Sequence, residues 1–98
     1  MNTKNLIKNC EETAQILKAL AHPQRLQLLC YLSAGEKTVG ELEELCGASQ
    51  SMVSQFLTRM KREGLVASEK DGQFMRYSIS DPRIKKTIQA LQKIYCDE

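Results

Sequence analysis

Apolar residues recur along this chain at helical spacing in five stretches and at strand spacing in two. Leu6, Cys10, Thr13, Leu17 and Leu20 fall at three- and four-residue steps, which predicts a helix over residues 5–21 with a single stripe. The HPQR segment breaks it. Pro23 suits the first turn of a second helix, where its missing N–H has no partner to lose. That helix runs through RLQLLCYL and is expected to end near Ser33-Ala34-Gly35, with Gly35 as a left-handed cap. Thr38 and Glu41 match a capping box and open a short third helix over Val39–Cys46, which Gly47 ends. Ser49 caps a fourth helix running to Glu63 and closed by Gly64.

Within the fourth helix Val53, Phe56, Leu57 and Met60 lie on one side, and Ser51, Ser54, Gln55, Thr58 and Arg62 on the other. Two β-like runs, LVASEK and QFMRYSIS, flank Asp71-Gly72, a strong hairpin signal because glycine accepts positive φ in a tight turn. Asp81-Pro82 then starts a last helix, whose stripe is Ile84, Ile88, Leu91 and Tyr95. The expected fold is mainly α with a β-hairpin wing: four helices, a hairpin and a fifth helix, a winged helix-turn-helix with an extra helix at each end. The whole chain, residues 1–98, is expected to form one such domain.

Composition is ordinary for a globular protein, with 42% hydrophobic and 27% charged residues and a net charge of +2. No apolar run approaches the ~20 residues that span a bilayer. The N-terminal segment MNTKNLIKNCEET has no signal-like apolar stretch, so a cytoplasmic setting without membrane partners is expected. There thiols stay reduced, and the four cysteines read as packing, metal or redox groups rather than structural staples. The charge distribution adds more than its sum. Residues 36–46 carry four Glu and one Lys, whereas residues 49–62 carry Arg59, Lys61 and Arg62 and no acid. A basic helix after an acidic one suits a chain that turns one face to phosphate.

A helix that reads bases needs short polar or amide side chains near its N-terminus, because those reach base edges in the major groove. Gln50, Ser51, Ser54 and Gln55 meet that need, and Thr58, Arg59, Lys61 and Arg62 follow where backbone phosphate would lie. The wing adds Lys70, Gln73 and Arg76 for phosphate or minor-groove contact. A solvated polar face is the plain alternative for the helix alone. The capped helix before it and the hairpin after it favour DNA.

With these elements in place, the chain resembles the ArsR/SmtB family of small winged-helix repressors over nearly its whole length. The likeness rests on LKALAHPQRLQLLCYL (residues 17–32), VGELEELCGASQSMVSQFLTRMKREGLV (39–66) and RYSI (76–79). It implies a homodimer joined through the first and last helices, here through Leu6, Cys10, Thr13, Leu17, Ile84, Ile88, Leu91 and Tyr95. It also implies a palindromic double-stranded operator that is released when an inducer binds. Apolar stripes on the outer helices suit that role independently, since exposed apolar surface implies burial against something.

Metal-sensing relatives place Cys-x-Cys at the start of the third helix, where this chain has Val39-Gly40-Glu41-Leu42, or Asp and His on the last helix, which here has no His. The single histidine, His22, sits at a helix junction and reads as a packing or N-terminal residue. Cys30 in LLCYL and Cys96 in IYC instead resemble the dithiol branch of the family, the BigR, SqrR and HlyU type, which responds to persulfides, related reactive sulfur or oxidants. A thiolate attacks an electrophilic sulfur and a second thiol resolves the product. A direct disulfide needs Cα atoms within about 7 Å, a limit that added sulfur atoms relax. Cys10 and Cys46 read as packing or spare thiols, and no cofactor or metal is expected. The rival readings are a metal- or metalloid-responsive repressor with cysteine ligands, and a winged-helix module that binds protein rather than DNA. An enzyme is not expected, since no paired acids, glycine-rich phosphate loop or nucleophile motif is present.

Overall fold

The computed structural model describes residues 3–96. In chain order these form α1 (Thr3–Leu20), α2 (Pro23–Ser33), β1 (Lys37–Thr38), α3 (Val39–Cys46), α4 (Gln50–Arg62), β2 (Val66–Asp71), β3 (Phe74–Ile79) and α5 (Pro82–Tyr95). The winged helix expected from the sequence is present, with one addition. The two residues of β1 join the hairpin to make a three-stranded antiparallel sheet of order β1-β3-β2.

Local chemistry sets most of the boundaries. The Oγ1 of Thr38 accepts from the Glu41 N–H at 3.1 Å, and the Glu41 carboxylate accepts from the Thr38 N–H at 2.9 Å. That reciprocal box satisfies two donors that the first turn of α3 would otherwise leave open. Gly47 ends α3 in the left-handed region at φ 64°, a conformation costly for a residue with a Cβ. Ser49 caps α4 by accepting from the Met52 N–H at 3.2 Å, and Asp81 caps α5 through the Arg83 N–H at 2.8 Å. His22 caps α2: its Nδ1 accepts from the Gln24 N–H at 3.2 Å while its ring rests on Phe56 with centroids 5.1 Å apart.

Two expectations are corrected. The cap of α2 is Ala34 in right-handed geometry, and Gly35 lies at φ 149°, outside the left-handed helical region. The hairpin turn falls one residue later than Asp71-Gly72: Asp71 pairs with Phe74, so Gly72 and Gln73 form the turn, with Gly72 at φ 64° in its first position.

The core joins every helix to the sheet. Leu29, Leu42, Leu57, Met60 and Ile88 are wholly buried, and Leu20, Leu28, Leu32, Val53, Leu65, Val66 and Ile84 nearly so. Each such aliphatic side chain contributes roughly 1.5–3 kcal/mol through removal from water. Arg25 is buried among them on α2 and pairs with Glu63, the C-cap of α4, leaving its Nε without a partner. That ion pair ties the end of α4 to the start of α2. No helix among the described residues is long and apolar enough to cross a membrane.

Candidate nucleic-acid interface and thiol cleft

The α4 helix meets the core with Val53, Leu57 and Met60, which turns its polar residues outward. Gln50, Ser51, Gln55, Thr58, Arg59 and Arg62 are exposed, while Ser54 is half-buried. The N-terminal turn therefore offers amides and a hydroxyl to a groove, beside helix N–H groups that favour phosphate. Arg59, Lys61 and Arg62 gather in the last turn. Lys61 is partly engaged, since its Nζ donates to Ser68 Oγ on the wing at 2.5 Å.

On the wing, Lys70 and Gln73 are exposed. Arg76 is half-buried, and its Nε donates to the Asp71 carboxylate at 2.8 Å, which keeps its charge on the wing and raises its pKa. Two residues outside the sequence expectations also stand at the tip: Phe74 is 56% and Met75 38% exposed. They wall a cleft of about 360 Å³ between wing and reading head, with Gln50, Val39 and Glu43 opposite. Alternation along QFMRYSIS signals a strand but gives no hint that its first apolar pair stays uncovered.

The outer helices divide differently from the expected stripes. On α1, Leu6, Cys10, Thr13 and Leu17 are exposed, as is Ile7. On α5, Ile84 and Ile88 are 2% and 0% exposed within the chain's own core, which corrects their placement on an open stripe. The reason is that α5 packs on α2 through that face. Leu91 is half-buried, and the uncovered apolar surface of α5 is Tyr95 at 79% and Ile94 at 68%.

The structure brings Cys30 and Cys96 together. Cys30 is half-buried near the end of α2, and Cys96 is exposed as the C-cap of α5. Both line one cleft of about 220 Å³, closed by Leu26, Leu91, Gln92 and Tyr95. Burial pushes the Cys30 thiol pKa up, a hydrogen bond from Gln92 pulls it down, and the nearby charge of Cys96 pushes it up again. The other two thiols lie elsewhere. Cys10 is exposed on α1. Cys46 is half-buried in a separate cavity of about 180 Å³ beside Met52 and Phe56, where burial raises its pKa. Among the described residues no three His, Cys, Asp or Glu side chains converge as metal ligands.

Comparison with known proteins agrees with the winged-helix fold. A family model described as "Bacterial regulatory protein, arsR family" matches residues 22–68. The transcriptional activator HlyU of Vibrio cholerae is 40% identical over 96 residues, covering 98% of this chain and 89% of its own. The structure of reduced HlyU from the same species superposes with a TM-score of 0.87 at 39% identity, covering 95% of this chain and 98% of that one. The transcriptional regulator HlyU from Vibrio vulnificus gives 0.91 at 38% identity over 98% of this chain and 100% of that one. The transcriptional repressor BigR from Xylella fastidiosa gives 0.87 at 34% identity over 97% and 94%.

Proposed function

From the premise that this chain belongs to the arsR family and is a DNA-binding transcriptional regulator, we propose that it is a homodimeric repressor released from its operator when Cys30 and Cys96 are joined. The observation that carries this reading is the single cleft shared by those two thiols, between α2 of the reading body and α5 of the outer face.

The dimer forms through the uncovered apolar residues of α1 and α5, namely Leu6, Ile7, Leu17, Ile94 and Tyr95. Burying them against a second copy removes surface that water penalises. Two reading heads then meet a palindromic duplex one helical turn apart. Gln50, Ser51, Ser54 and Gln55 address base edges, while Thr58, Arg59, Arg62, Lys70 and Arg76 face the phosphate backbone. For Arg76 that contact requires sharing or giving up Asp71.

In a reducing cytoplasm the resting pair is the dithiol. A persulfide RSSH supplies the oxidising sulfur. One cysteine thiolate attacks its outer sulfur, the S–S bond breaks, and RS⁻ leaves to take a proton. The product is a cysteine persulfide. The second thiolate attacks the cysteine's own sulfur, forms Cys–S–S–Cys and expels hydrosulfide. Overall two thiols lose two electrons and one RSSH becomes RSH and H₂S. A second RSSH leaves one more sulfur in the bridge. A peroxide gives the same disulfide with two waters.

A bridge ties α2 to the end of α5, which adjoins the dimer face. A small rotation there changes the spacing of the two heads, and a palindrome tolerates little change. The relatives include a protein described as a repressor, which is the sign assigned here, and one described as an activator. Release from DNA serves either sign, according to what competes for the site.

The test is operator affinity of the parent, Cys30→Ser and Cys96→Ser, with and without a persulfide donor. The parent is expected to weaken roughly 10- to 100-fold, within the usual range of allosteric coupling, and both variants to stay bound. Release of both variants at the parent's level sinks the thiol switch. Intact mass after persulfide, peroxide, zinc and arsenite in separate reactions identifies the inducer class by the mass gained or lost.

A further inference from the structure

The end of α2 carries carbonyls that its own helix cannot satisfy. Two of them accept from side chains of α5. Gln92 Nε2 donates to the Cys30 carbonyl at 3.3 Å, and Gln89 Nε2 donates to the Ser33 carbonyl at 3.4 Å. Residues three apart share a helix face, so the two amides act side by side. Ser33 Oγ completes the turn by donating to the Cys30 carbonyl at 2.7 Å.

Gln92 does more than cap. Its own carbonyl accepts from the Cys96 N–H at 2.8 Å, which sets where α5 ends. Its side chain also lines the thiol cleft together with Cys30 and Cys96. A glutamine amide has two hydrogens, so one remains free to turn to the Cys30 sulfur in the cleft once the other serves the Cys30 carbonyl. One residue thus touches both thiol-bearing positions, through its side chain at Cys30 and its main chain at Cys96.

We propose that Gln92 is a positioning residue that latches α5 to the thiol-bearing turn of α2 and supports negative charge on Cys30 Sγ. This rests on the reading of Cys30 as a reacting thiol. Such support matters because Cys30 is half-buried, and burial alone disfavours the thiolate that does the chemistry. The titratable groups facing Cys30 in the cleft are Cys96 and Tyr95, both from α5, and Leu26 and Leu91 are apolar. Gln92 is the donor among them that does not titrate.

The experiment is the pH profile of Cys30 alkylation by iodoacetamide, read by peptide mass mapping on the full chain in a Cys96→Ser background that removes the neighbouring thiolate. Gln92→Leu keeps much of the volume and loses the donor. It is expected to move the profile to higher pH and slow alkylation at neutral pH about tenfold. Gln92→Glu is expected to slow it further, because a carboxylate repels the thiolate. Gln89→Leu removes a cap that does not touch Cys30 and is expected to leave the profile in place.

A merely structural role predicts the opposite sign. A loosened cleft exposes Cys30, and alkylation then speeds up. Alkylation of Gln92→Leu at the parent's rate or faster overturns the proposal. Should Gln92→Leu fail to fold, Gln92→Glu decides alone, with an unshifted profile overturning it. The two readings fail separately. A shifted profile with operator release indifferent to Cys30 ends the switch and keeps Gln92; release that needs Cys30, with an unshifted profile, ends the role of Gln92 and keeps the switch.

Discussion

The reading head and the thiol end are held together by different kinds of contact. In the head, Thr38 bonds to Glu41 and Ser49 to Met52, partners three residues apart. At the thiol end, Gln92 reaches Cys30 and Gln89 reaches Ser33 across 62 and 56 residues. Local bonds form with little loop entropy and persist when neighbours shift. Long-range side-chain bonds at 3.3–3.4 Å are weaker and depend on two helices keeping their places. The bonds of the head thus depend least on where neighbouring elements sit, and those of the thiol end depend on it most. The ion pair of Arg25 with Glu63 joins the two, since α2 carries Arg25 at one end and Cys30 towards the other.

That junction gives the largest expected effect. Glu63→Gln leaves the Arg25 guanidinium buried with an uncompensated charge, and its Nε already lacks a partner. Breaking a buried pair costs about 3–5 kcal/mol, and the partial exposure of Glu63 places this case near the lower end. Urea unfolding should show the midpoint falling at unchanged slope. A loss under about 1 kcal/mol, the scale of an exposed ion pair, would mean that the two regions are coupled elsewhere.

The next effects separate the regions. Arg59→Ala and Arg62→Ala should each weaken operator binding about tenfold and lower the slope of log affinity against log salt by about 1, uniformly across sequences. Cys30 alkylation should not change in either. Salt slopes equal to the parent's would remove both side chains from the phosphate contacts. Thr38→Ala is smaller again. It deletes half of the capping box and should cost about 1 kcal/mol in unfolding, with the persulfide response of the folded protein intact.

The same contrast explains what could be read from the chain itself. Thr38 with Glu41, Ser49, Gly47 and Asp81-Pro82 all work within a few residues, and each element they bound lies where the sequence predicts. The third strand escapes notice because Lys37 finds its partner at Tyr77, and two residues carry no periodicity. Ile84 and Ile88 look like a free stripe because a helix shows its apolar face without saying which neighbour covers it. Nothing in the sequence singles out Arg25, and only the packing of α2 against the end of α4 buries it. Nothing singles out the two glutamines of α5 either, whose partners on α2 lie 56 and 62 residues away. Spacing alone does not pair Cys30 with Cys96, only the family resemblance does, and their shared cleft is a fact of tertiary packing.

The smallest expected effect lies in the pH dependence of stability. In the folded chain the Cys30 thiol has its pKa raised above the ordinary value of 9.0, first through burial. A raised pKa means that the folded state keeps the proton longer than the unfolded one. The resulting stabilisation is complete below the ordinary thiol range and is lost as pH climbs through the raised value. Cys30→Ser has no proton to lose there. Urea midpoints of parent and variant, taken from pH 7 to pH 10.5, should therefore differ by a constant at neutral pH and drift at the alkaline end, with the parent falling relative to the variant. The head offers the matching control. Cys46 is also raised by burial, but it sits in a different cavity, so Cys46→Ser should show its own drift without altering the persulfide response. A difference between parent and Cys30→Ser that stays flat through pH 10.5 would show that water reaches Cys30 freely, and a sensing thiol at the thiol end would then need no amide to support its charge.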